Sequence, residues 1–136
     1  MAYRIRRSLK ITETLELCGD DGEVEKTLPV TVDIDAIAGE LRSHLVALTD
    51  AEREMRAASA AGDASQTYQQ FGKAVTEVFE LCFGKAVTEE IIGFFEGAFV
   101  EASLALVPFI YDVILPAANK VIAQRRAALK SLYKRR

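Results

Sequence analysis

The residues best suited to chemistry in this chain are few and scattered. His44 is the only histidine, and Cys18 and Cys82 are the only cysteines. A catalytic Cys-His pair would need a long-range meeting that no local pattern announces, and neither cysteine has a metal-type companion a few residues away. Ser103 and Ser131 lack the sharp glycine-flanked turn that presents a nucleophile, and no glycine-rich phosphate loop occurs. His44, between Leu41 and Leu45 in an acidic helical segment, reads as a solvated or hydrogen-bonded side chain. No catalytic residue, metal or cofactor is assigned, and the expectation is a protein that is not an enzyme.

With no such site to position, the apolar and charged patterns carry the information. The chain has 136 residues, half hydrophobic and 27% charged, which suits one domain over 1–136 with a core of its own. A net charge of −3 conceals an asymmetry. From Asp33 to Asp112 there are fourteen acids and five bases, and after Asp112 seven bases and no acid. The first residues are Arg-rich without an apolar run behind them, so no signal peptide is read, and reduced thiols in the cytoplasm are expected.

The elements follow from periodicity. Tyr3, Ile5, Leu9, Ile11, Leu15 and Leu17 alternate with polar residues, which specifies a strand with one wet face. Gly19-Asp20-Asp21-Gly22 turns the chain, and Val24, Leu28, Val30 and Val32 form a second strand with Pro29 at an edge. Asp33 or Asp35 caps a helix from near Ala36 to about Ala60, apolar along Ile37, Leu41, Leu45, Leu48 and Met55. A second amphipathic helix covers Gln66 to Phe83. The heptapeptide FGKAVTE occurs twice, at Phe71–Glu77 inside that helix and at Phe83–Glu89 across its end, with Gly84 as the C-cap. Thr88 is expected to cap the next helix, and Pro108 and Pro116 to end or kink it, leaving a last basic helix from Ala117 to Tyr133. The fold class expected is α+β, mainly α: an N-terminal β-hairpin over 1–33 followed by four to five helices over 34–136.

The stretch from Glu89 to Leu115 is the most apolar in the chain. Glu96, Glu101 and Asp112 interrupt it, and a carboxylate near the centre of a membrane-spanning helix costs about 2.5 to 3.5 kcal/mol, so insertion is rejected. The helix must instead be covered by the chain or shared with another polypeptide. Ile91, Ile92, Phe94, Phe95, Phe99, Phe109 and Ile110 are the candidate partner-binding residues. Gly93 and Gly97, spaced as GxxxG, would let another backbone approach, either inside the fold or at a dimer seam. The basic end has three readings: a solvated helix face, a nucleic-acid contact opposed by the acidic body, or a segment pairing with acidic surface on another copy in a salt-dependent oligomer.

The order of parts resembles the small tail assembly chaperones of long-tailed bacteriophages and prophages of Gram-positive bacteria. The residues that carry the resemblance are Phe83-Gly84-Lys85-Ala86 with Ile91, Val107-Pro108-Phe109-Ile110 with Val113-Ile114-Leu115-Pro116, the ending Tyr133-Lys134-Arg135-Arg136, and the hairpin leading into Val32-Asp33-Ile34-Asp35. The resemblance implies a cytoplasmic, non-catalytic, self-associating protein that keeps the tape measure protein soluble and is displaced as tail tube protein polymerises. Two other readings stand beside it: a connector-type structural subunit of a phage particle, and a small nucleic-acid-binding regulator.

Overall fold

The computed structural model describes residues 2, 9–62 and 64–134. Within them the period-two alternation gives an antiparallel pair, β1 (Lys10–Cys18) and β2 (Val24–Asp33), with Ile11 opposite Val32 and Leu15 opposite Leu28. Leu17, Leu28, Val30 and Val32 are buried on one face. The strand expected from Tyr3 begins at Lys10, and Tyr3 to Ser8 lie outside the described residues. The Gly22 N–H donates to the Gly19 carbonyl at 3.0 Å and closes the turn. Pro29, opposite Thr14, is tolerated because both strands of a two-stranded sheet are edges.

Helix α1 (Ile34–Ala61) starts where Asp33 stops the strand, its carboxylate accepting the Ala36 N–H at 3.3 Å. Ile34, Ile37, Leu41, Leu45 and Leu48 form the buried stripe of this helix. Asp35 ties three elements together. Its carboxylate accepts the Leu9 N–H at 2.7 Å, and Arg125 stands 3.9 Å from it while also donating to its main-chain carbonyl. Helix α2 (Ser65–Phe83) buries Phe71, Val75, Val78, Phe79 and Cys82 against α1 and the sheet. Fully burying side chains of this size contributes about 1.5 to 3 kcal/mol each, so the α1–α2 seam holds the fold together.

The two FGKAVTE copies adopt different structures. The first lies inside α2. The second ends α2, turns at Gly84 (φ 86°, ψ 164°, a region essentially restricted to glycine) and opens α3 (Lys85–Phe94). Thr88 is therefore not a cap, contrary to expectation. Because Gly84 turns the chain in one residue, the helix starts at Lys85, and Thr88 lies buried within it, donating to the Gly84 carbonyl at 2.8 Å. Thr76 donates to the Gly72 carbonyl at the same 2.8 Å, so this one local bond is common to both copies.

The apolar stretch is broken, and not at its prolines. Helix α3 ends in a Schellman turn: the Gly97 N–H donates to the Ile92 carbonyl at 3.0 Å and the Glu96 N–H to the Gly93 carbonyl at 3.1 Å, with Glu96 itself left-handed at φ 54°. From Phe99 to Lys134 the chain then runs as one helical stretch. It comprises α4 (Phe99–Phe109), a π-helical turn (Ile110–Ile114) and α5 (Leu115–Lys134). The helix expected to end or kink at Pro108 and Pro116 therefore ends at neither, and its regular α-helical bonding is interrupted only by the π turn between them. The wide turn lies between the two rings, with the Leu115 N–H donating to the Ile110 carbonyl. With this stretch counted once, four helices follow the hairpin, and the chain is α+β, mainly α.

Candidate interaction surface

The seven candidate partner-binding residues separate into two groups. Ile91 and Ile110 are enclosed completely, so no partner reaches either without opening the fold. Ile92, Phe94, Phe95, Phe99 and Phe109 are half-buried and packed against the core. Phe94 and Phe95 meet edge to face at 5.2 Å, and Phe109 stacks on Phe83 at 6.3 Å. Phe99 lies over Gly72, and its N–H donates to the Tyr68 hydroxyl at 3.3 Å while that hydroxyl donates to the Gly97 carbonyl at 3.4 Å. Phe99 and Phe109 thereby seat the second helical stretch on α2. The GxxxG pair forms no helix seam within the fold, because Gly97 lies in the interhelix turn at φ 79° and Gly93 has open space around it.

The unpartnered apolar surface lies farther along. Ala102, Leu106, Ile110 and Ile114 turn inward. On the outer side, Leu104 is 73% exposed and Tyr111 40%. Helix α5 covers the first part of α1 and α2 covers much of the rest, but α4 hardly touches α1. A groove results, formed by two adjoining hollows of about 350 and 290 Å³ that share Thr49 and Tyr111. Val46 and Leu48 form one wall, and Leu104, Val107 and Leu115 the other. The Thr49 hydroxyl donates to the Leu45 carbonyl at 3.0 Å, so it asks nothing of an occupant. Arg42, Asp50, Glu52 and Arg53 border the groove, and its apolar walls suit the apolar face of a helix.

Sequence reasoning missed this groove for a physical reason. Between Phe99 and Leu115 only Glu101 and Asp112 are charged, so periodicity could not separate the inner face from the outer. The one available signal was Ala102, whose small side chain at four-residue spacing from Leu106, Ile110 and Ile114 marks the close-packed side.

The residues suited to chemistry are not brought together. His44 is half-buried on α1. Cys18 is exposed on β1, while burial pushes the Cys82 thiol up to about 12 and makes it a poor nucleophile at neutral pH. Among the described residues no group of three or more His, Cys, Asp or Glu side chains is placed to hold a metal ion. By length and composition alone, the helix from Phe99 to Lys134 is apolar enough to cross a membrane, but its inner face is occupied by this chain's own core. No protein-family model, curated protein or solved structure matches this chain.

Proposed function

We propose that this chain is a non-catalytic binding protein of the tail-assembly-chaperone type, acting in the cytoplasm, which receives an apolar helical segment of a long tape measure protein in the groove between α1 and α4. The observation that carries the reading is Leu104, an aliphatic side chain left almost bare at the edge of a hollow already lined by Val107, Tyr111 and Leu48. A surface of this kind is costly to leave in water and gains from covering. The acidic body around it keeps a chaperone soluble while the groove is open.

Co-expression with the tape measure protein tests the reading. The wild-type chain should hold that client in the soluble fraction, and Leu104→Asp or Tyr111→Ser should abolish the rescue while leaving the far-ultraviolet circular dichroism unchanged. Full rescue by both folded variants would remove the groove as the client site. Client-independent assembly into a ring that salt does not dissolve would favour the connector-type subunit.

A further inference from the structure

The geometry points to a second copy of this chain as the occupant of the groove when no client is bound, with the free end of α5 as the element that enters it. This deepens the reading above, since it takes the groove to be a binding site, and it adds the regulation of that site.

From Ala123 to Lys134 every residue of α5 is exposed, twelve in succession. Leu129, Leu132 and Tyr133 nevertheless make an apolar stripe there at helical spacing, each more than half exposed. This end cannot reach its own groove. Helix α5 leaves the groove at Leu115 and runs antiparallel to α1, fixed by Arg42 to Asn119 at 3.1 Å and by Arg125 at Asp35 in the first turn of α1. The end beyond Arg125 therefore points away from the hollow that Leu115 lines, and only another molecule's groove is accessible to it.

Size and charge both favour that occupant. Twelve helical residues span about 18 Å, and the groove wall from Leu104 to Leu115 spans about 16 Å. Residues 123–136 carry six bases and no acid, whereas residues 1–122 carry eleven bases against twenty acids, a net charge of −9. On the α1 side of the groove Arg53 lies 3.6 Å from Asp50 and Arg56 pairs with Glu52, while Arg42 donates to the neutral Asn119 amide and keeps its charge. On the other side the exposed Glu101 and Asp112 have no ion-pair partner among the described residues. A basic end with a leucine-tyrosine stripe thus meets apolar walls, one of them on the helical stretch that carries Glu101 and Asp112, which have no ion-pair partner among the described residues. An anionic membrane or a nucleic acid would attract the same end but repel the body of −9 that it is attached to. The docking is intermolecular and salt-dependent, and a client displaces it by competing for Leu104 and Tyr111.

Light scattering of the full chain at about 50 mM and about 500 mM salt reads the assembly, because screening shortens the reach of these charges to a few ångströms at the higher value. The wild-type mass should be at least twice 15.0 kDa at low salt and fall toward 15.0 kDa at high salt. Leu129→Asp with Leu132→Asp, on an end that packs on nothing, should give a folded monomer, and Leu104→Asp should do the same. Mixing those two variants should restore a two-chain species, since one keeps an intact groove and the other an intact end. A wild-type chain that is monomeric at both salt concentrations overturns the inference, as does an end variant that assembles like wild type. Salt-sensitive binding of a monomeric wild-type chain to phosphatidylglycerol vesicles or duplex DNA, lost in the end variant, also overturns it by giving that end another partner. Client rescue measured on the same variants separates the two readings. A monomeric wild type whose rescue is lost on Leu104→Asp sinks self-docking alone, and a Leu104→Asp monomer that still rescues sinks the client site alone.

Discussion

The ring of Phe99 occupies the space that a side chain at position 72 would need: a Cβ built on Gly72 would stand 2.6 Å from the ring's Cδ2 and Cε2. Real Cβ contacts are not that short, so the absence of a side chain at Gly72 is what lets the start of α4 lie down on α2.

Gly72→Ala should accordingly destabilise the protein. Alanine gains about 1 kcal/mol in helix propensity over glycine, but an overpacked core site of this kind costs about 1 to 3 kcal/mol, and here the neighbour is a ring held by its own backbone bond to Tyr68. The net loss in urea unfolding should be about 1 kcal/mol. Combining it with Phe99→Leu should recover most of that loss through a positive coupling in the double-mutant cycle. An additive cycle would show that the ring does not enforce the glycine.

Glu96 offers the reverse case. It holds φ 54° at the left-handed position of the Schellman turn, where glycine is the usual residue. Left-handed backbone costs an L-residue about 1 to 2 kcal/mol, and glycine surrenders part of that in unfolded-state entropy. Glu96→Gly should therefore raise stability by about 0.5 to 1 kcal/mol, read as a higher urea midpoint at unchanged slope. A lower midpoint would mean that the Glu96 side chain contributes more than its backbone costs.

The two thiols should differ sharply. Exposed Cys18 should react with a disulfide reagent at pH 8 in the native protein, and Cys82 only after denaturation. Burial pushes the Cys82 thiol up from its ordinary 9.0 to about 12, so the native state holds the proton more tightly than the unfolded chain. Stability from this group is therefore complete below about pH 9 and is lost as the pH rises toward 12. Cys82→Ala should flatten that alkaline decline, and an unchanged decline would assign it to other groups.

The hairpin, the Asp33 cap and the buried face of α1 were legible because alternation, a short carboxylate and four-residue spacing each act over a few neighbouring residues. Gly84 was legible as a helix end for the same reason. The break at Glu96-Gly97 was not, because a glutamate at a left-handed position gives no local warning and an apolar run on both sides suggests continuity. Pro108 and Pro116 read in the opposite direction, since the helix runs through both with a π turn between them. Phe95 and Phe99 draw attention by size, yet the break folds them toward the interior, and the bare residues are the plainer Leu104 and Tyr111 beyond it.

The doubled FGKAVTE segment has one more implication. Its two glycines are spelled alike and employed for unrelated reasons, one for its missing bulk beneath an aromatic ring and the other for a dihedral that no other amino acid adopts comfortably. An identical methyl group added at either place would thus do harm by different routes, crowding at 72 and torsion at 84. Each occurrence of the seven letters takes its use from its surroundings, and a peptide of that composition taken alone would reveal neither job.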